Sequence, residues 1–155
     1  MKPEIAIPDS ARKNIADALS HLLADTYILY LKTQNYHWNV TGPNFHSLHL
    51  MFEVQYQELA LAVDEIAERI RKLGAPTPAS FEAFARLGVL KEETGSKKAD
   101  AMIAALLKDH ETVMSTARAV LPPAEEGRDE STADLIAKRL EAHEKAAWML
   151  RSSLE

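Results

Sequence analysis

The residues best suited to chemistry lie in one candidate helix near the middle of the chain. His49 and Glu53 are four positions apart, and so are Asp64 and Glu68. Residues four apart on a helix are neighbours on the same side, so each pair could share a ligand. A mixed imidazole and carboxylate set suits Fe(II), and also Zn(II) or Mn(II). The spacing predicts a metal-binding role for both pairs.

These four residues lie away from the apolar stripe that should face the protein core. At about 100° per residue, the stripe occupies roughly 100° of arc centred on Leu48. Its members are Phe45, Leu48, Phe52, Leu59, Ala62, Val63 and Ile66. With Leu48 as zero, the candidate ligands fall at about 100°, 140°, 160° and 200°.

The arc that carries the candidate ligands is itself partly apolar. It is shared by Leu50, Ala60, Leu61 and Ala67. A separate polar stripe holds Ser47, Glu58, Glu65, Arg69 and Lys72, and we expect that stripe to face solvent. Two apolar faces on one helix predict that a second chain covers one of them.

The length of the helix separates the two pairs within one chain. From Glu53 to Asp64 the helix rises about 16 Å, at 1.5 Å per residue, which is too far for one metal ion. Two antiparallel copies that cross near residues 58–59 would bring the first pair of one copy against the second pair of the other. This isologous contact would create two identical sites per dimer. His37, near the end of the preceding helix, is a further candidate ligand.

Two plainer interpretations stay open. Charged residues on a helix most often form a solvated or salt-bridged face, and the protein could be a purely structural oligomeric bundle. A metal site inside a single bundle is disfavoured, because such sites use Glu-x-x-His pairs and no histidine here follows a glutamate at that spacing.

The elements that must position these residues are long helices. Segments rich in Ala, Leu, Glu, Lys and Ile predict four of them, at about 10–38, 44–73, 96–120 and 130–153, with a short helix within 79–87. Clusters of Gly and Pro separate the segments, including a break at Pro122-Pro123. We therefore predict an all-α four-helix bundle, as one domain over residues 1–155 with a short N-terminal segment 1–8. The second and third long helices would be joined by a crossover.

Composition excludes several other classes. The chain has 155 residues, 46% hydrophobic and 26% charged, with no cysteine, which excludes disulfides, thiolate metal sites and cysteine nucleophiles. Its net charge of -5 disfavours bulk electrostatic binding of nucleic acid. No signal-peptide pattern or membrane-spanning apolar run is visible, so we expect a soluble, cytoplasmic protein.

Two long runs resemble a known family. These are LYLKTQNYHWNVTGPNFHSLHLMFEVQYQELALAVDEIAERI and DESTADLIAKRLEAHEKAAWML. The first is similar to the signature region of the Dps family, the mini-ferritins, and the second to the family's final helix. The resemblance spans essentially the whole chain. It implies a ferritin-like bundle, with a short helix in the middle connection, assembled as a hollow homo-oligomeric dodecamer.

The resemblance also implies a chemistry. By motif match, His37, His49 and Glu53 of one subunit and Asp64 and Glu68 of its partner would bind Fe(II) at an iron-oxidising centre. Trp38 matches a tryptophan close to that centre, where it would intercept oxidising equivalents. Family members oxidise Fe(II), typically with hydrogen peroxide in preference to oxygen, and store Fe(III) as mineral. Glu53 departs from the Asp found in many members, and we expect slightly altered ligand geometry there.

Two further family features concern DNA and the path of iron. Members that bind DNA usually do so through a lysine-rich tail, and only Lys2 precedes the first helix here, so we expect no strong DNA binding. Coating of DNA in the nucleoid remains the alternative function. Glu125, Glu130 and Asp134 match acidic residues that line the family's three-fold iron pores. The other reading is that such acids offset the dipole at a helix N-terminus.

The remaining histidines and aromatic residues are assigned structural roles. His21 and Asp25 have the spacing of a hydrogen-bonded couple, and His46 is expected at the surface. We expect His110 and His143 to be structural or exposed. Trp148 and Met149 are interpreted as packing residues of the last helix.

Overall fold

The fold is a bundle of four long helices with two short ones in the connections. A computed structural model describes residues 2–155, which form six helices and no strand. They are α1 (Asp9–Asn39), α2 (Phe45–Lys72), α3 (Phe81–Leu87), α4 (Ala99–Arg118), α5 (Leu121–Glu126) and α6 (Glu130–Ser152). α1 packs chiefly on α2, and α4 chiefly on α6. The predicted all-α bundle and its crossover are confirmed.

The helix ends follow local chemistry. Gly74 adopts φ +89°, a left-handed conformation that ends α2 as glycine commonly does after a helix. α1 begins after Pro8, whose carbonyl oxygen accepts a hydrogen bond from the Arg12 backbone at 3.0 Å. Asn44 precedes α2, but its side chain makes no capping bond.

One short helix was not predicted. The Pro122-Pro123 pair, interpreted as a break, lies inside the first turn of α5. Proline is tolerated there, because the first backbone N–H groups of a helix have no partner within the helix. Asp129 then caps α6 by accepting a bond from the Thr132 backbone N–H at 3.0 Å.

The core confirms most of the predicted stripe of α2. Leu48, Phe52, Leu59, Ala62 and Ile66 are buried, whereas Val63 is half-buried and Phe45 is exposed at the first turn of the helix. Trp148 and Met149 are also wrongly assigned to packing, because 61% and 37% of their surfaces are exposed.

The predicted polar stripe of α2 does not simply face solvent. Arg139 of α6 makes a bidentate ion pair with Glu58, and Arg69 pairs with Asp129 at 2.6 Å. Glu58 and Arg69 of the stripe therefore link α2 to α6 and to its N-cap, whereas Ser47, Glu65 and Lys72 are exposed as predicted. Sequence periodicity alone does not distinguish polar residues that meet a partner helix from those that meet water.

A buried carboxylate holds the crossover against α1 and α4. Asp25 accepts hydrogen bonds from the backbone N–H groups of Val89 and Leu90, at 2.8 and 3.0 Å. It also accepts one from the Thr116 hydroxyl at 2.8 Å. The expected His21–Asp25 couple is wrong, because His21 Nδ1 instead bonds the Leu87 carbonyl oxygen at 2.8 Å.

Candidate metal centre

The structure brings His37 and His49 together as a reciprocal pair. His37 Nδ1 lies 2.8 Å from the carbonyl oxygen of His49, and His49 Nδ1 lies 2.8 Å from the carbonyl oxygen of His37. The two rings stack with their centroids 3.8 Å apart. A carbonyl oxygen can only accept, so we assign the proton of each neutral ring to Nδ1. Each Nε2 then keeps a lone pair for a metal ion, and metal-bound histidines commonly have this second bond.

The elements explain why two residues twelve positions apart meet. His37 lies in the last turn of α1, and His49 lies in the second turn of α2. The tight connection at 40–44 folds the helices side by side, so these turns become neighbours. His37 is buried and His49 is half-buried, which limits the freedom of both rings.

Tyr56 is a neighbour that the sequence analysis missed. Its ring packs edge-on against His37, with centroids 5.1 Å apart. Tyr56 follows His49 by seven positions, which is two helical turns on the same side, and that spacing was the available signal. Its contact with the ring helps to fix the orientation of His37.

The three carboxylates are placed differently from the imidazoles. Glu53 is half-buried, whereas Asp64 is exposed and Glu68 is exposed with an ion pair to Lys72 at 3.1 Å. Across residues 2–155, no group of three His, Asp or Glu side chains lies close enough to hold a metal ion. One chain therefore unites the two imidazoles but does not unite the whole predicted ligand set.

The surface around these carboxylates is unusually apolar. Leu50, Val54 and Leu61 of α2 expose 44%, 66% and 70% of their area. Large side chains that lie together with so much exposed area commonly mark an interaction surface. The side of α2 that carries Asp64, Glu68 and these apolar residues is thus exposed in a single chain and not covered by its own bundle.

Trp38 lies at the end of α1, on a side formed with α3 and the crossover. It is 63% exposed and lines a groove of about 460 Å³ together with Leu31 and Phe81. Its neighbour His37 stacks on His49 instead, so the two consecutive side chains lie in different environments.

The acidic residues assigned to a pore lie at the surface near the start of α6. Glu125, Glu130 and Asp134 are exposed, and Asp134 pairs with Lys138 at 2.8 Å. The adjacent Asp129 is different. Burial raises its pKa, but hydrogen bonds from Arg69 and Thr132 outweigh that effect and hold the pKa below its ordinary value. Asp129 is therefore structural.

His46 is exposed, as expected. Among the helices of residues 2–155, none combines the length and apolar character needed to cross a membrane.

Comparisons with known proteins agree with the observed fold. A family model for a ferritin-like domain matches residues 16–155. A low temperature-induced protein of Nostoc sp. is 42% identical over 97% of this chain and 86% of its own length. DNA protection during starvation protein 2 of Bacillus anthracis is 35% identical over 92% of this chain and 97% of its own. The crystal structure of a Dps protein from Vibrio cholerae O1 superposes with a TM-score of 0.94, at 33% identity, over 99% of this chain and 97% of that one. The chain is a ferritin-like protein and belongs to the Dps family of mini-ferritins.

Proposed function

We propose that this protein oxidises Fe(II) and stores the ferric product. The observation that carries the proposal is the reciprocal pair of His37 and His49, whose Nδ1 atoms are occupied by carbonyl oxygens and whose Nε2 atoms are available to a metal ion. The Vibrio cholerae relative is described as a member of a superfamily of ferritin-like diiron-carboxylate proteins, which supports the same chemistry.

The complete centre would need two copies of the chain. In an antiparallel two-fold dimer along α2, His37, His49 and Glu53 of one copy would face Asp64 and Glu68 of the other. The exposed leucines on that side of α2 supply the apolar contact that such a dimer needs. We infer a homo-oligomer built from these dimers, and a hollow dodecamer as the complete assembly.

The proposed reaction consumes both Fe(II) and hydrogen peroxide, which together would otherwise generate hydroxyl radicals. Two Fe(II) ions each give one electron to hydrogen peroxide, its O–O bond breaks, and two protons complete two water molecules. The carboxylates and imidazoles hold the charge of the ions while positions remain open for the oxidant. Trp38, near the centre, would intercept stray oxidising equivalents, and oxygen is the alternative oxidant. Glu125, Glu130 and Asp134 would concentrate incoming cations at a pore.

Coating of DNA is the second candidate function, favoured by the name of the Bacillus anthracis relative. The chain carries a net charge of -5, and nonspecific DNA binding depends on Lys and Arg that neutralise phosphates. We therefore infer that protection comes from removing iron and peroxide. Gel retention of plasmid at moderate salt separates the two functions, and we expect no retention.

The decisive experiment compares peroxide-driven Fe(II) oxidation by the wild type and by Asp64→Ala/Glu68→Ala. We expect the variant to lose its protein-dependent rate, because both ligands that the partner copy gives to each centre are removed. Asp17→Ala/Asp100→Ala is the matched control, since it removes two exposed carboxylates outside α2. Equal rates in all three proteins would overturn the proposal. Anomalous diffraction from a crystal soaked in Fe(II) would locate the ligands directly.

A further inference from the structure

A second polar cluster lies inside the bundle, away from the proposed iron centre. His110 of α4 and His143 of α6 are both buried, and their Nδ1 atoms lie 2.9 Å apart. Arg139, one turn before His143, has its Nη2 3.4 Å from His143 Nε2 and is also paired with Glu58 of α2. Three helices therefore contribute to one hydrogen-bonded layer.

The chemistry of these groups fixes the proton positions. A guanidinium only donates, so His143 Nε2 accepts and His143 carries its proton on Nδ1. That proton is donated to His110 Nδ1, which leaves the proton of His110 on Nε2. Burial lowers the pKa of His110 to about 3, and burial also holds the pKa of His143 well below its ordinary value, so both rings are uncharged at neutral pH.

The layer ends in polar atoms that no group of residues 2–155 satisfies. His110 Nε2 and both amide atoms of Gln55 are buried without a hydrogen-bond partner. His110 is 2% exposed and Gln55 is 7% exposed. Buried polar groups are very rarely left unpaired, because the loss of their hydration is costly. Both residues line a pocket of about 300 Å³ between α2 and α6, whose walls include Val54, Ala146 and Met149.

We propose that this pocket is a binding site for a small uncharged O–H molecule, which accepts a hydrogen bond from His110 Nε2 and exchanges bonds with the Gln55 amide. Water and a short alcohol share this chemistry. The buried end of the pocket favours an uncharged molecule, because Glu58 already neutralises Arg139 and the two histidines carry no charge. The charged side chains that also line the pocket, Lys138, Glu141 and Lys145, are exposed to solvent. The site is separate from the iron centre, so its failure would leave the proposed function untouched.

Crystals of the assembled protein, grown without alcohols and then soaked in ethylene glycol, test the proposal and distinguish the two sources. We expect ordered density within hydrogen-bonding distance of His110 Nε2 and Gln55. If the density stays the same after the soak, the site binds water. If glycol takes the place of that density, the site also binds short alcohols. In Gln55→Leu this density should be lost, whereas in Gln57→Leu, which changes an exposed glutamine of the same helix, it should remain.

A measurement on the wild-type protein in solution keeps the test valid even if the core of the Gln55→Leu variant repacks. In the wild-type protein labelled with ¹⁵N-histidine, we expect a protonated Nε2 on His110 and a protonated Nδ1 on His143. If glycol binds, its titration should move the His110 Nε2 resonance, with affinity about tenfold weaker in Gln55→Leu. The opposite tautomers, or a wild-type pocket with no density in either crystal, would overturn the proposal.

Discussion

Each imidazole of the His37–His49 pair is oriented by a backbone atom of the other residue. Because those acceptors are carbonyl oxygens, replacing one side chain removes one ring without removing the acceptor of the other. The remaining ring should therefore keep its Nδ1 bond and its orientation. Single substitutions at this pair should therefore report the loss of one proposed ligand, not the collapse of the site.

We expect His49→Ala to lower the rate of peroxide-driven Fe(II) oxidation by at least about tenfold, since even outer partners of metal ligands are worth roughly 10- to 100-fold. His21→Ala is the control, because His21 is an exposed histidine on α1 whose ring bonds only the Leu87 carbonyl. Initial rates at matched protein concentration check the prediction. An unchanged rate in His49→Ala would remove this histidine from the centre.

A second residue-scale prediction concerns acid stability. The Tyr36 hydroxyl donates to Glu93 at 2.7 Å, and this bond, with others from Gly95 and Lys97, lowers the pKa of Glu93 from 4.5 to about 2. A lowered carboxyl pKa contributes stability above 4.5 that is lost as the pH falls towards 2. Burial and the Glu93 carboxylate also raise the pKa of Tyr36, so its contribution is lost in strong alkali.

Tyr36→Phe should therefore reduce the free energy of unfolding at neutral pH by about 1.5–3 kcal/mol, the usual value of a hydrogen bond to a charged group. The difference from wild type should shrink as Glu93 is protonated. Urea unfolding followed by circular dichroism at several pH values between neutrality and acid checks both points. Tyr27→Phe, at a half-buried tyrosine of the same helix, is the control. A pH-independent difference would refute the coupling.

At the scale of elements, the crossover depends on one buried carboxylate. Asp25→Ala would leave the backbone N–H groups of Val89 and Leu90 without an acceptor, at a cost of about 1–3 kcal/mol for each buried group. We expect a total loss of roughly 3 kcal/mol in the free energy of unfolding. Asp17→Ala, at an exposed position of the same helix, should change little. Denaturant titration measures the stability of both variants. Equal stabilities would contradict the role of Asp25 in holding the crossover.

The strength of the hydrophobic periodicity and the clarity of the breaks decided which helices could be predicted from the sequence. The four long helices have strong periodicity and clear breaks, so their existence and order followed directly. α5 did not, because a proline pair marks either the end of one helix or the first turn of another. The Glu58–Arg139 ion pair and the His110–His143 hydrogen bond also could not be predicted from the sequence. Spacing along one helix fixes which residues share a side, but not which residues of another helix they meet.

The same limit applies to the candidate centre. The pairs at 49–53 and 64–68 were visible because helical spacing is local. The stacking of His37 on His49 depends on how a short turn folds α1 against α2, and the sequence offered His37 only as a further ligand. Tyr56 was missed because an aromatic residue on a core-facing helix is ordinarily packing.

At the scale of the whole molecule, the exposed side of α2 should control assembly. Leu61 lies close to the proposed crossing point, so Leu61→Glu would place like charges near each other across the two-fold axis. We expect this variant to sediment as a smaller species and to lose Fe(II) oxidation with it. Ala104→Glu, which adds the same charge at an exposed position of α4, is the control. An intact assembly of Leu61→Glu in analytical ultracentrifugation would refute this interface.

Mixing two inactive chains gives the sharpest test of a shared centre. His49→Ala and Asp64→Ala each disable every site of their own homodimer. A mixed dimer, however, contains one site in which His49 and Asp64 are both intact, and one in which both are missing. Random pairing of equal amounts makes half of the dimers mixed, so about one quarter of the wild-type centres should return. The measurement is Fe(II) oxidation by protein that was unfolded and refolded as a mixture, against the two variants refolded separately. Since a site within one chain gains nothing from mixing, a rate equal to the mean of the separate variants would place all ligands in a single subunit.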